Sequence, residues 1–165
     1  MSFNLAAYTL VHVVISLVGI GSGLVVLLGL LAGKRLNLST ALFLVTTAAT
    51  SITGYGFPFT HLLPSHVVGA ISLVVLAVAI YARYARHLAG GWRATYVTCA
   101  VAALYFNVFV LVVQSFLKVP ALHSLAPTQS EPPFAVAQLV VLALFLLLGT
   151  LFVFQAEDGI RAGRE

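Results

Sequence analysis

Residues 8–31 read YTLVHVVISLVGIGSGLVVLLGLL, a stretch without a single charged side chain. A helix of roughly 20 apolar residues is long enough to cross the hydrocarbon core of a bilayer, about 30 Å thick. A helix is favoured there because it pairs its own backbone donors and acceptors where no water can do so. The stretch is therefore predicted to be a transmembrane helix.

Four further stretches have the same character and are separated by polar, basic or proline-bearing segments. They cover residues 38–57, 65–84, 94–116 and 134–154. Hydrophobic residues make up 61% of the chain and charged residues only 7%, whereas a soluble domain has about 25% charged residues. We expect an all-α, polytopic transmembrane bundle of about five helices, forming a single domain over residues 1–154.

The loop charges predict the orientation of this bundle. Lys and Arg in short loops remain on the cytoplasmic side of the membrane. With five helices, one side receives all but one of the basic residues, namely Lys34, Arg35, Arg83, Arg86, Arg93, Arg161 and Arg164. The exception is Lys118. The N-terminus is therefore predicted outside and the C-terminus inside, and because topology accounts for the basic residues, no nucleic-acid partner is expected.

The last residues differ in character from the rest of the chain. Residues 154–161, FQAEDGIR, resemble a peptide produced when sequencing-adapter DNA is translated at the end of a gene fragment. We expect residues 155–165 to form a short cytoplasmic tail that is not entirely native. Three of the four carboxylates lie in this tail, and Glu131 is the other. Since catalysis normally needs a matched acid, base or nucleophile, an enzyme is the function least supported by the sequence.

Four strings in the loops carry a family resemblance. They are GFPF at 56–59, LLPSH at 62–66, ARYARHLAG at 82–90 and APTQSEPPFA at 126–135. Up to Phe152 the chain resembles an uncharacterised family of small bacterial multi-pass inner-membrane proteins. The resemblance implies a helical bundle in the bacterial inner (cytoplasmic) membrane, and it brings no activity with it.

Polar residues of several helices fall in the outer half of the predicted bundle. His12 shares a helix face with Ser16, Gly19 and Gly23, because successive residues of a helix are 100° apart. His66 begins the third helix, as His12 begins the first. A polar group facing lipid would be costly, so we expect a pocket near the periplasmic surface. Its candidate residues are His12, Thr50, Thr53, His66, Asn107 and Gln114.

Several ligands would suit such a pocket. Imidazole binds iron, copper and zinc, and His12 and His66 would be the axial ligands of a b-type haem. A quinone, held at its two carbonyl oxygens by a histidine and an amide or hydroxyl, is the second possibility. A single metal ion on His61, His66, His123 and Glu131 is the third. In the simplest interpretation, the polar groups only join helices by hydrogen bonds and the histidines reach the headgroup region.

Three functions follow from these interpretations. The first is a structural, assembly or partner-binding membrane subunit, associating with its own copies or another membrane protein through Gly19 and Gly23, or through Gly29 and Gly33, since small residues let helices approach closely. The second is a haem- or quinone-binding electron-transfer module. The third, a small transporter, is weaker because the predicted spans contain almost no charge to form an ion pathway.

Overall fold

The computed structural model of the chain describes residues 4–32, 34, 36–59 and 64–161. The described residues form helices, turns and loops and contain no strand. The helices are α1 (Leu5–Leu31), α2 (Asn37–Gly54), α3 (Pro64–Ile80), α4 (Trp92–Lys118), α5 (Pro120–His123) and α6 (Pro132–Arg161). A π-helical turn, Tyr81–Ala85, follows α3 directly. The predicted all-α bundle is confirmed.

Four helices in the described ranges are long and apolar enough to cross a membrane. They are Leu5–Leu31, Ser65–Ala85, Trp92–Lys118 and Pro132–Phe154. The second predicted span, α2, is not among them because threonine and serine interrupt its apolar sequence. Its 18 residues still rise about 27 Å at 1.5 Å per residue, nearly the thickness of the hydrocarbon core. The chain is thus a helical membrane protein, and the fifth crossing stays a prediction.

The first four long helices surround a common core. Helix α1 packs along α2, α3 lies between α2 and α4, and α4 returns to contact α1. The core side chains include Phe43, Leu76, Tyr96 and Leu104, each at most 2% exposed. Helix α6 packs mainly on α4 and leaves much of its apolar surface uncovered. In a bilayer this surface of α6 is suited to lipid.

The glycines of α1 lie inside the chain's own bundle. A Cβ atom on Gly23 would lie 2.7 Å from Leu104 Cδ1 and 2.9 Å from Phe43 Cδ2. A Cβ on Gly29 would come as close to Leu36, and Gly33 lies outside the described residues. The face predicted to bind a partner is therefore occupied by α2 and α4 of the same chain where it is described.

The basic loops after α1 and α3 lie at the same end of the bundle. Arg83 Nη2 donates to Asn37 Oδ1 at 2.6 Å, which joins the start of α2 to the end of α3. The Arg83 guanidinium also lies over the ring of Tyr96, and that of Arg86 over Trp92. The loops after α1 and α3 therefore share one end, while Lys118 ends α4 at the other. The structure agrees with this grouping of charges, and which end faces the cytoplasm stays a prediction.

Most of the predicted C-terminal tail continues a helix. Helix α6 runs without interruption to Arg161, so residues 155–161 extend the last predicted span.

The loop before α6 returns to the bundle, where Gln129 Nε2 donates to the Val113 carbonyl at 2.9 Å. This bond ties the proline-rich connection to α4. The connection also contains the short helix α5, which the sequence analysis did not predict.

Candidate ligand cavity

A cavity of about 460 Å³ opens between α1, α2, α3 and α4 at the end opposite the basic loops. Its size falls within the range of small-molecule sites. Five of the six predicted site residues line it, although they come from four different helices. They are His12, Thr50, His66, Asn107 and Gln114. Most of the remaining wall is apolar and includes Leu17, Ile20, Phe57, Phe106 and Val110.

The sixth predicted residue, Thr53, lies behind the cavity wall and contacts His12, which lines the cavity. Its Oγ1 lies 2.8 Å from His12 Nδ1 and donates to the Ala49 carbonyl at 2.7 Å. The Thr53 carbonyl accepts a hydrogen bond from the Tyr8 hydroxyl at 2.7 Å. Both Tyr8 and His12 meet the Phe57 ring edge-on, with centroids 5.0 and 5.1 Å apart. These contacts fix the imidazole of His12 between the first turns of α1 and the end of α2.

His66 is fixed by aromatic packing on the opposite side of the α2–α3 connection. It is 6% exposed, and its ring centroid lies 4.4 Å from that of Phe59 and 5.3 Å from that of Tyr55. The Tyr55 hydroxyl donates to the His66 carbonyl at 2.6 Å. The structure therefore brings His12 and His66 to the wall of one cavity.

The α4 side of the cavity carries polar groups on one helical face. Asn107 is 9% exposed, and its Nδ2 donates to the fully buried Thr47 Oγ1 at 3.1 Å. Gln114 lies two turns further along α4, and Lys118 one turn beyond it. These residues share a face with Asn107, because residues three, four or seven apart in a helix point to the same side. Lys118 is exposed and lines the cavity at the last turn of the helix. A neutral amide thus lies deep in the bundle and a cation at its end.

Two hydroxyl groups of the wall have no hydrogen-bond partner within the described part of the chain. They are Thr50 Oγ1 and Ser72 Oγ, and Ser72 is only 2% exposed. A buried polar group left unpaired costs about 1–3 kcal/mol. Sites that tolerate this cost are often completed by a bound molecule or water. The unpaired hydroxyls are therefore a second indication that the cavity receives a polar ligand group.

Several lining residues were not identified from the sequence. They are Thr9, Ser51, Ser65, Ser72, Ser115 and Lys118. One signal was present on α3, where Ser65, Gly69 and Ser72 recur at helical spacing around His66 and so mark a polar face. Lys118 was also recognisable as the lone basic residue predicted outside. Neither pattern indicates a cavity unless the neighbouring helices are known.

The proposed four-residue metal site is not assembled by the described residues. No group of three His, Cys, Asp or Glu side chains comes together among them. His123 is exposed on α5, and the Glu131 carboxylate accepts hydrogen bonds from Thr128 and Ser130. His61 lies outside the described residues. Cys99, the single cysteine, packs against the core of the bundle.

The described wall offers imidazole, amide, hydroxyl and ammonium groups, which can bind a small molecule by hydrogen bonds, and includes no carboxylate. The hydroxyl that contacts His12 is that of Thr53, which lies behind the wall. Comparison of the chain with models of protein families, with curated proteins and with solved structures finds no match.

Proposed function

We propose that the protein binds a quinone-type ligand, a flat and neutral redox carrier of the lipid phase, in the cavity between α1 and α4. The observation that carries this proposal is the convergence of His12, His66, Asn107 and Gln114 on one largely apolar cavity. A quinone head has oxygen atoms at opposite edges of an apolar ring. It therefore needs polar groups on facing walls and apolar contact between them, which α1 and α4 supply.

A b-type haem would use the same two histidines, but its charge fits the cavity less well. Haem carries two propionate groups, whereas Lys118 is the one cation among the described lining residues. Burying an unpaired carboxylate is expensive. A quinone head is neutral and brings no such requirement. A structural subunit is the second candidate function, supported by the uncovered apolar surface of α6.

The test is ligand binding by the purified protein in mild detergent. Adding decylubiquinone is expected to raise the melting temperature in a dose-dependent way, because a ligand stabilises the state it binds. His12→Ala is expected to weaken binding of the reduced form, decylubiquinol, about tenfold, since losing one hydrogen bond of about 1.4 kcal/mol has that effect. His123→Ala removes an exposed histidine outside the cavity and serves as the matched control.

Three outcomes would count against the proposal. They are no thermal shift with either redox form, equal affinity of His12→Ala and the unaltered protein for the quinol, or a Soret band in protein from a haem-replete host. A Soret band that is lost in both His12→Ala and His66→Ala would assign the cavity to haem. Extraction of the purified protein with organic solvent and chromatography would show any quinone that co-purifies.

We also propose that the protein lies in a bacterial inner membrane with five crossings and its N-terminus outside. The support is the shared end of the two basic loops, joined by Arg83 and Asn37, together with the retention of basic loops in the cytoplasm. If α2 did not cross, Lys34 and Arg86 would lie on opposite faces of the membrane. With five crossings they share one face, and Lys118 lies on the other.

Cysteine labelling distinguishes these topologies. In a Cys99→Ser background, Lys118→Cys is expected to react with a membrane-impermeant maleimide in intact spheroplasts. Lys34→Cys and Arg86→Cys are expected to react only after the membrane is permeabilised. Labelling of Lys34→Cys and Arg86→Cys from opposite faces would show four crossings. Labelling of both from outside, with Lys118→Cys protected, would reverse the proposed orientation.

A further inference from the structure

We infer that His12 offers the cavity a fixed hydrogen-bond acceptor, and that the site therefore selects a ligand with a hydroxyl group, the quinol, over the corresponding quinone. This inference rests on the proposed function and specifies which redox form the cavity prefers. It follows from the arrangement of protons around Thr53.

The Thr53 hydroxyl has one proton and three close neighbours. Two are the carbonyl oxygens of Ala49, at 2.7 Å, and Thr50, at 3.3 Å, and a carbonyl can only accept. The third is His12 Nδ1 at 2.8 Å. All the contacts are satisfied when the hydroxyl proton points to the carbonyls and Oγ1 accepts from an Nδ1–H of His12. A neutral imidazole carries a single N–H, so its Nε2 is left with a lone pair.

The surroundings of His12 favour the neutral ring. Its described neighbours in the cavity wall include the Lys118 cation and no carboxylate. The ring also makes a T-shaped contact with Phe57 and lies near the backbone of α2 at Gly54. A positive imidazole would have no counter-charge among these described neighbours. The acceptor state of Nε2 therefore follows from both the hydrogen bonds and the local charge.

This state discriminates between the two forms of a quinone. A quinol donates its O–H to Nε2, whereas a quinone carbonyl presents lone pairs to another lone pair. A buried polar group facing the wrong partner is a strong source of selectivity. We expect the quinol to bind at least tenfold more tightly than the quinone. The monomethyl ether on the hydroxyl that meets His12 is expected to bind as weakly as the quinone.

The test compares trimethylhydroquinone, its quinone and its two monomethyl ethers by titration calorimetry under anaerobic conditions. Thr53→Val keeps the shape of the side chain and removes the hydroxyl that fixes the tautomer, so its quinol preference is expected to fall to about threefold or less. Thr46→Val is the matched control, because the Thr46 hydroxyl also bonds a carbonyl, that of Leu42 at 2.6 Å, whereas His12 Nδ1 contacts Thr53.

The results separate this inference from the proposed function. Equal affinity for quinol and quinone, or unchanged selectivity in Thr53→Val, would overturn the acceptor role of His12 and leave quinone binding in place. Binding of neither form would overturn both. A ligand-free measurement adds a direct readout: ¹⁵N NMR is expected to show the neutral Nδ1–H tautomer for His12, and an Nε2–H tautomer or an imidazolium would contradict the inference.

Discussion

Gly23→Leu is expected to prevent accumulation of the folded protein, whereas Gly21→Leu leaves it unchanged. The reason is the space around the two positions on α1. A Cβ at Gly23 already lies within 3.0 Å of Leu104 and Phe43, which are 0% and 1% exposed and cannot move aside. A Cβ at Gly21 meets nothing within 4 Å. Overpacking of a tight core costs about 1–3 kcal/mol and sometimes more.

The measurement is the melting temperature in detergent, followed by size-exclusion chromatography of a fluorescent fusion. Gly23→Ala is expected to be intermediate, because it introduces the clashing atom and nothing further. Gly21→Leu replaces an exposed helical glycine and is expected to gain up to about 1 kcal/mol from helix propensity. A Gly23→Leu protein that melts like the unaltered chain would show that α1 does not pack on α2 and α4 as described.

The sequence predicted the helices well because lipid imposes a simple rule on them. A stretch such as residues 8–31 has one stable form in hydrocarbon, so length and hydropathy suffice. Helix α2 shows where that rule weakens. Its threonines lower its hydropathy, yet they bond backbone carbonyls, as Thr46 and Thr53 do. A hydroxyl bonded in this way costs less in hydrocarbon than its hydropathy value suggests, so hydropathy alone underestimates how well α2 suits the membrane.

The sequence pointed to some residues of the cavity wall but not to its geometry. His12, His66 and Asn107 stood out because polar residues are costly in a bilayer and need partners. The partner of Asn107 is Thr47 on α2, and that of Thr53 is His12. Such pairs depend on how neighbouring helices rotate about their axes, which periodicity on one helix does not determine. The burial of the unpaired Ser72 hydroxyl likewise depends on the neighbouring helices and cannot be predicted from α3 alone.

The glycines show a related limit of sequence analysis. Small residues spaced four apart, such as Gly19 and Gly23, indicate that a helix packs closely on another helix. The spacing does not say whether that helix belongs to the same chain. A Cβ added to Gly19 would lie 3.2–3.5 Å from side-chain atoms of Thr46, Thr47 and Asn107, so the helices packed on this face of α1 belong to the same chain. Asn107 also lines the cavity, which places the cavity next to this close packing.

Gly56→Ala is expected to weaken both the fold and ligand binding, although Gly56 lies in an exposed turn. An added Cβ would collide with the hydroxyl of Tyr8 and lie 2.8 Å from its Cζ. The Tyr8 ring must then move, and its bond to the Thr53 carbonyl is lost. Because Thr53 and Phe57 fix His12, we expect about a tenfold loss of quinol affinity, equal to about 1.4 kcal/mol.

A double variant identifies the cause. Tyr8→Phe removes the colliding hydroxyl at a cost of about 1 kcal/mol for one hydrogen bond, and the Thr53 carbonyl keeps its bond from the Gly56 N–H at 3.1 Å. Gly56→Ala combined with Tyr8→Phe is therefore expected to melt at a higher temperature than Gly56→Ala alone. Gly91→Ala, in a turn with nothing within 4 Å, is the matched control. If the double variant were the less stable one, the two losses would be independent, and Gly56 would not act on the cavity through Tyr8.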